Sequence, residues 1–211
     1  MIRHFCLALA PMLLAGLPLL AGSAEPGTPA FEGPRFEPTP CVFADAPANW
    51  AQESGVTCGW VRVPAHHDEA GKGSLRLWAA KVPAVRDSGR PPIIRVMGGP
   101  EPVRAVYITG PRTTGLRQNH DIAFFDYRGV GRSEPRLACD AEPVRGDTMD
   151  DRLASKLRQY ARCREQIAKA GVDLSTINSR NNARDIDVVA RALGYAPYYV
   201  KWRLLRKHHH V

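Results

Sequence analysis

The chain has 211 residues, of which 44% are hydrophobic and 24% charged, a balance that suits a globular domain or part of one and excludes fibrous and disordered classes. A net charge of +8 would favour nucleic acid or a membrane surface as a partner. However, five of the 29 basic residues and none of the 21 acidic residues fall in segments 1–24 and 201–211. The remaining segment is nearly balanced, which argues against both a nucleic-acid and a membrane-surface partner, and we expect no nucleic-acid partner.

Residues 1–24 have the layout of a secretory signal peptide. Arg3 and His4 form a basic start, residues 7–20 an apolar run, and residues 22–24 a small-residue cleavage site. The apolar run is short and broken by prolines, which disfavours the alternative of an uncleaved membrane anchor. We therefore predict a secreted or periplasmic protein with no stable membrane span after cleavage.

Four cysteines remain once Cys6 leaves with the signal peptide: Cys41, Cys58, Cys139 and Cys163. An even number in an oxidising compartment predicts disulfides, with three possible pairings. The simplest is local, joining the first two and the last two. A zinc site is the alternative, but the chain has no C-x-x-C spacing to favour it. We expect no metal and no cofactor.

The N-terminal half predicts strands. Residues 25–40, rich in Pro, Gly and Glu, predict an extended, poorly ordered leader. Segments 56–63 and 75–82 have strand-like content around a glycine-containing turn, which predicts a hairpin. The apolar runs 93–97 and 121–127 are each followed by a glycine-rich loop and predict buried parallel strands.

The C-terminal half predicts two helices. Apolar residues recur at helical spacing in 151–170, which ends before Gly171, and in 182–193, which Asn181 or Asn182 could cap. A new strand begins at Tyr198. The order of elements predicts an α/β fold with a mainly parallel, incomplete sheet of about five strands and two helices.

Two glycine loops follow the predicted parallel strands. Segment 126–133, D-Y-R-G-V-G-R-S, matches the D-x-R-G-x-G-x-S turn of α/β-hydrolases, and Gly98-Gly99-Pro100 resembles their H-G-G-P-G loop. Together with V-R-V-P at 61–64 and A-R-D-I-D at 183–187, these motifs resemble the α/β-hydrolase superfamily. The likeness is to secreted serine hydrolases of the proline iminopeptidase and tripeptidyl aminopeptidase kind, and covers about 41–200.

The resemblance implies roles for these loops. Gly98 and Gly99 would supply an oxyanion-hole N–H group. Asp126, Arg128, Gly129 and Gly131 would form a turn at the active-site mouth, with Asp126 anchoring the loop. Two positions depart from the family pattern: Met97 replaces the usual His or Gly, and Glu101 replaces the final Gly. A carboxylate there would oppose an oxyanion.

The family continues with a strand, a G-x-S-x-G nucleophile elbow and a helix, and later strands bring the Asp and His of the catalytic triad. Residues 201–211 contain no Ser and no Gly. We therefore expect no catalytic residue in this chain. It is predicted to be a truncated, inactive fragment of an exported serine hydrolase, whose intact form would cleave a peptide or ester by acyl-enzyme chemistry.

The basic tail 201–211 suggests out-of-frame translation. Trp202 has the single codon TGG. If Arg203 to Lys207 are encoded CGT, CTC, CTA, CGG and AAA, a shift of one base reads Gly-Val-Ser-Tyr-Gly. That pentapeptide is a nucleophile elbow where the resemblance requires one, although synonymous codons permit other strings.

Other interpretations compete with the enzyme fragment. The chain could be a non-enzymatic secreted binding module that uses the half-fold and its basic tail. Ser133 lacks a G-x-S-x-G context and is predicted to be a turn hydroxyl rather than a nucleophile. His66 and His67 are interpreted as residues of a solvated turn.

Overall fold

The computed structural model describes residues 31–202, apart from 48, 70, 99–100, 138 and 140–142. The predicted signal peptide, residues 25–30 of the leader and residues 203–211 of the tail therefore lie outside the described residues. In the described part of the chain, no helix is both long and apolar enough to cross a membrane.

Six strands form one sheet in the order β1-β2-β3-β5-β4-β6. The strands are β1 (Phe36–Thr39), β2 (Thr57–Pro64), β3 (Ser74–Val82), β4 (Ile93–Val96), β5 (Ile122–Phe125) and β6 (Tyr199–Trp202). The sheet begins inside the segment predicted as a leader, because β1 pairs with β2.

The prediction of a mainly parallel sheet is wrong. Among the strands of the described residues, the pairs β1·β2, β2·β3 and β3·β5 are antiparallel, and only β4·β5 and β4·β6 are parallel. The hairpin of β2 and β3 is the physical reason. Its short turn forces β2 and β3 to pair antiparallel, and β3 also runs antiparallel to its other neighbour, β5. The connection from β4 to β5 passes through α2 and α3, which makes it long enough for these two strands to run parallel.

In the described residues the sheet is accompanied by a short 3-10 helix (Leu174–Thr176) and by five α-helices: α1 (Trp50–Glu53), α2 (Ala105–Thr109), α3 (Pro111–Arg117), α4 (Met149–Lys169) and α5 (Ser179–Ala192). The sequence predicted α4 and α5 but not the three short helices. Helix α5 begins three residues earlier than predicted, since its N-cap is Asn178, whose side chain accepts from the Asn181 amide.

The sheet buries both faces. Alternate residues of β3 point to opposite sides: Trp78, Ala80 and Val82 face a cluster that includes Val103 and Ile108. Leu77 and Ala79 face a second cluster with Val189 and Leu193, which α5 covers.

The structure pairs the cysteines locally. Cys41 bonds Cys58 across 17 residues, and Cys139 bonds Cys163 across 24 residues. In the chain-entropy account, each closed loop of this size stabilises the fold by about 3 kcal/mol. The first bond joins the N-terminal loop to β2, and the second holds α4 to the segment after the 126–133 turn.

The edge strand β6 generates a prediction. Tyr199, Val200 and Trp202 are 56%, 49% and 70% exposed, and β6 ends the described sheet on that side. Unpaired strand edges with apolar side chains favour association. Val200→Lys should therefore reduce concentration-dependent association, measured by light scattering. Val42→Lys, at a residue 71% exposed but outside the sheet, is the matched control. Equal effects of both changes would contradict the edge as the cause.

Candidate active site

An open cleft of about 640 Å³ lies where parallel strands β4, β5 and β6 end. Carboxyl ends of parallel strands meet at one edge of a sheet, and ligand sites of α/β proteins form there. One wall comes from the loop after β4, a second from the turn after β5, and a third from α5. The lining residues from these walls include Met97, Gly98, Pro102, Tyr127, Gly129, Gly131, Asn182 and Ile186.

The predicted oxyanion loop borders this cleft at Gly98. Gly99, its second predicted donor, lies outside the described residues. The Met97 side chain is buried, and its carbonyl oxygen accepts a hydrogen bond of 2.7 Å from the Tyr127 hydroxyl. Glu101 does not line the cleft. Its carboxylate accepts a 2.8 Å hydrogen bond from the Tyr107 hydroxyl.

Asp126 joins the two loops. Its buried carboxylate accepts from the amide of Val103 at 2.6 Å and from the amide of Arg132 at 2.9 Å. Burial raises the pKa of the Asp126 carboxyl, while these two amides and the Arg132 charge act against that rise. The carboxylate therefore positions the loops and is not open to the cleft as a proton acceptor.

Arg132 reinforces the same clamp, and sequence reasoning missed it. Its guanidinium donates to the carbonyl oxygen of Val103, with Nη2 at 2.8 Å, and lies 3.3 Å from Asp126 Oδ2. It also stacks on the Trp78 ring at 3.8 Å from the centroid. Arg132 is the variable residue between Gly131 and Ser133, so the turn motif does not predict this contact. Its partner Trp78 belongs to β3, which is far from the turn in the sequence.

Ser133 is fully buried. Its hydroxyl donates to the Asp126 carbonyl oxygen at 2.6 Å and accepts from the Trp78 amide at 3.0 Å. With both bonds made inside the protein, this hydroxyl closes the turn, as expected for a turn residue, and does not face the cleft as a nucleophile would.

Arg128 is the most heavily bonded side chain of the turn. Its Nε and Nη2 donate to the two carboxylate oxygens of Asp185 at 2.7 and 2.8 Å. The remaining donors reach the carbonyl oxygens of Pro64, Ala65 and Thr176. Both charged side chains are completely buried. The predicted mouth residue therefore points away from the cleft and ties the turn to β2 and α5.

His67 corrects another expectation. It was interpreted as part of a solvated turn, but its side chain is only 10% exposed, and its Nε2 lies 2.8 Å from Asp185 Oδ1. The loop after β2 packs against α5, which brings the imidazole to the buried carboxylate. His66 stays nearer the surface, 3.2 Å from Asp173.

The cleft is largely apolar. Its described lining includes no acidic residue, and the one charged residue, Arg128, has its guanidinium fully engaged elsewhere. The apolar lining residues come from several elements around the cleft. They are Val96, Met97, Val130, Leu137, Ile177, Ile186 and Trp202. Such a cleft favours an uncharged, apolar group.

Known proteins resemble this chain over part of their length. It is 31% identical to carboxylesterase B of Mycobacterium tuberculosis over an alignment of 205 residues, which covers 86% of this chain and 39% of the relative. It is 31% identical to tripeptidyl aminopeptidase of Streptomyces coelicolor over 171 residues, covering 72% of this chain and 31% of the relative. Serine protease Hip1 of M. tuberculosis is 26% identical, covering 89% and 38%.

No protein-family model matches the chain. The relatives nevertheless support an α/β-hydrolase-like family, in agreement with the motif resemblance. The chain spans about two fifths of the length of carboxylesterase B.

The buried pair generates a double-mutant prediction. Removing one partner strands a buried charge, so Asp185→Leu should destabilise the fold by about 3–5 kcal/mol. Arg128→Met should cost less, because His67 still contacts Asp185. Replacing both with apolar residues should cost less than the sum of the single changes. Urea unfolding of the disulfide-intact chain measures each free energy. Additive costs would show that the two side chains are not coupled.

The turn glycines generate a second prediction. Gly131 has φ +59°, and a Cβ there would collide with the Asp126 carboxylate and with Pro102. Gly131→Ala should therefore destabilise the fold and loosen the two loops. Gly171→Ala is the matched control, with φ +72° but no atom near the new Cβ. It should cost only the backbone strain, about 1 kcal/mol. Equal losses of unfolding free energy would contradict a clamp at Gly131.

Proposed function

We propose that residues 41–200 are the N-terminal part of an exported serine hydrolase that cleaves a peptide or ester bond through an acyl-enzyme. The observation that carries the proposal is the clamped pair of loops beside one apolar cleft. Both loops follow parallel strands, where a nucleophile on the neighbouring strand would reach them. The relatives named carboxylesterase, aminopeptidase and serine protease support this reaction class.

In this proposal the loop at Gly98 and Gly99 supplies a backbone N–H to the developing oxyanion. The Tyr127 hydroxyl fixes the carbonyl of Met97, and Asp126 fixes the amide of Val103, so the loop is held on both sides. Catalysis by such a donor requires preorganisation, since a donor that must move loses its advantage. The apolar lining favours an uncharged side chain or acyl group in the substrate.

The 211 residues contain no G-x-S-x-G pentapeptide. We therefore propose that the chain forms no acyl-enzyme by itself, and that the tail 201–211 arises from a reading-frame shift. The disulfides fit export, because such bonds persist in oxidising compartments. The alternative, a non-enzymatic binding module, is favoured by one observation, the apolar cleft, which could bind a ligand without any nucleophile.

A labelling experiment tests the proposed function. The chain should not react with a fluorophosphonate probe, which modifies activated serines. The DNA at codons 202–207 should read Gly-Val-Ser-Tyr-Gly in the shifted frame, and protein made from the frame-corrected gene should be labelled. The same protein with that serine changed to alanine is the matched control and should stay unlabelled.

Two results would contradict the proposal. Labelling of the 211-residue chain would show that it holds a nucleophile of another kind. A frame-corrected protein that stays unlabelled while binding apolar ligands would favour the binding module instead.

A further inference from the structure

Helix α4 carries an apolar stripe that faces solvent. Met149, Leu153, Leu157 and Tyr160 are 79%, 55%, 57% and 58% exposed. They are three or four residues apart, which places them on one face of the helix. Ile167 continues that face and is buried. The stripe therefore starts in the core at the C-terminal end of α4 and runs outward along the rest of the helix.

The helix is well formed and held at one end. Thr148 and Asp151 make a reciprocal capping box at its N-terminus. Near the other end, Cys163 is bonded to Cys139. Because the body of the protein holds α4 through Ile167 and this disulfide, the outer turns can present the stripe to a partner without unfolding.

Cations lie within the stripe itself. Lys156 is three residues after Leu153, and its Nζ lies 5.8 Å from the centroid of the Tyr160 ring. Arg164 is four residues after Tyr160, on the same face. A dry interface with another protein would have to bury these two charges, which is costly unless each is paired.

A lipid surface removes that cost. At a bilayer the apolar side chains enter the boundary of the acyl chains, while long cationic side chains extend to the headgroups. Helix α4 has six basic and three acidic residues, and one of the acids, Asp151, is already engaged in the capping box. Cations close to an anionic leaflet add binding free energy.

We propose that α4 is an interfacial helix that docks this chain on an anionic lipid bilayer through Met149, Leu153, Leu157 and Tyr160. The contact is reversible and in the plane of the surface. It is independent of the proposed hydrolase function, because none of these residues lines the cleft.

Vesicle co-sedimentation tests the proposal with the whole chain. The protein should bind phosphatidylcholine vesicles that contain phosphatidylglycerol more tightly than vesicles of phosphatidylcholine alone, and added salt should weaken binding. The double change Leu153→Gln and Leu157→Gln should weaken binding about tenfold or more, since it removes two buried side chains. Lys156→Gln and Arg164→Gln should each cost about fivefold on anionic vesicles.

Matched controls separate the stripe from general effects. Val85→Gln changes another exposed apolar residue, and Arg158→Gln removes a charge from the opposite face of α4; both should bind nearly as the parent does. Circular dichroism should show unchanged helix content in all variants, because the altered side chains are exposed.

Two outcomes would overturn the proposal. One is vesicle binding that survives the double leucine change. The other is an absence of binding to the anionic vesicles. In that case, self-association that the same change abolishes would identify the stripe as a contact between copies of the chain.

Discussion

The buried ion pair between Arg128 and Asp185 is the contact on which the arrangement of the site depends. One guanidinium joins the turn after β5 to α5 and to the carbonyl groups at the end of β2. A completely buried charge is tolerated only when every donor is satisfied, and here the carboxylate and three carbonyl groups satisfy it. The turn, the helix and the hairpin therefore cannot shift independently. This ion pair fixes the distances between the walls of the cleft that the turn and α5 form.

The second constraint is the clamp between the two loops. Asp126 and Arg132 both contact Val103, one through its amide and the other through its carbonyl oxygen. The loop after β4 is glycine-rich and would otherwise be free to change conformation. Both contacts hold Val103 from the neighbouring turn. In the proposed hydrolase, this would keep the donor groups of the glycine loop in position for a substrate.

Sequence patterns located the regular elements well, because alternation and helical spacing are local signals. The segments predicted as strands at 56–63 and 75–82 became β2 and β3, and 151–170 became α4 with small shifts at its ends. The short helices α2 and α3 were missed because their few residues show no period and include Gly115. Strand direction was also missed, since the sequence of β3 does not record which neighbour it pairs with.

The site could be predicted only in part for the same reason. Glycine spacing identified the turn at 126–133, since positive φ leaves a mark in the sequence. The sequence does not predict the partner of Arg128. Asp185 is 57 residues away, on a helix whose sequence indicates only an amphipathic pattern. Only the fold brings the two side chains together. His67 was misread because a pair of histidines before an aspartate looks polar whether or not it is buried.

Helix α4 shows how far periodicity can mislead about burial. Its apolar spacing is as regular as that of α5, yet α5 buries Val188, Val189 and Ala190 while α4 buries only Ile167. The apolar spacing of a helix predicts that one face is apolar, but it does not predict which surface packs against that face. The charged residues within the stripe of α4 distinguish a protein partner from a lipid surface. Lys156 and Arg164 interrupt the stripe of α4, which suits a surface where cations can reach headgroups and opposes a dry protein core.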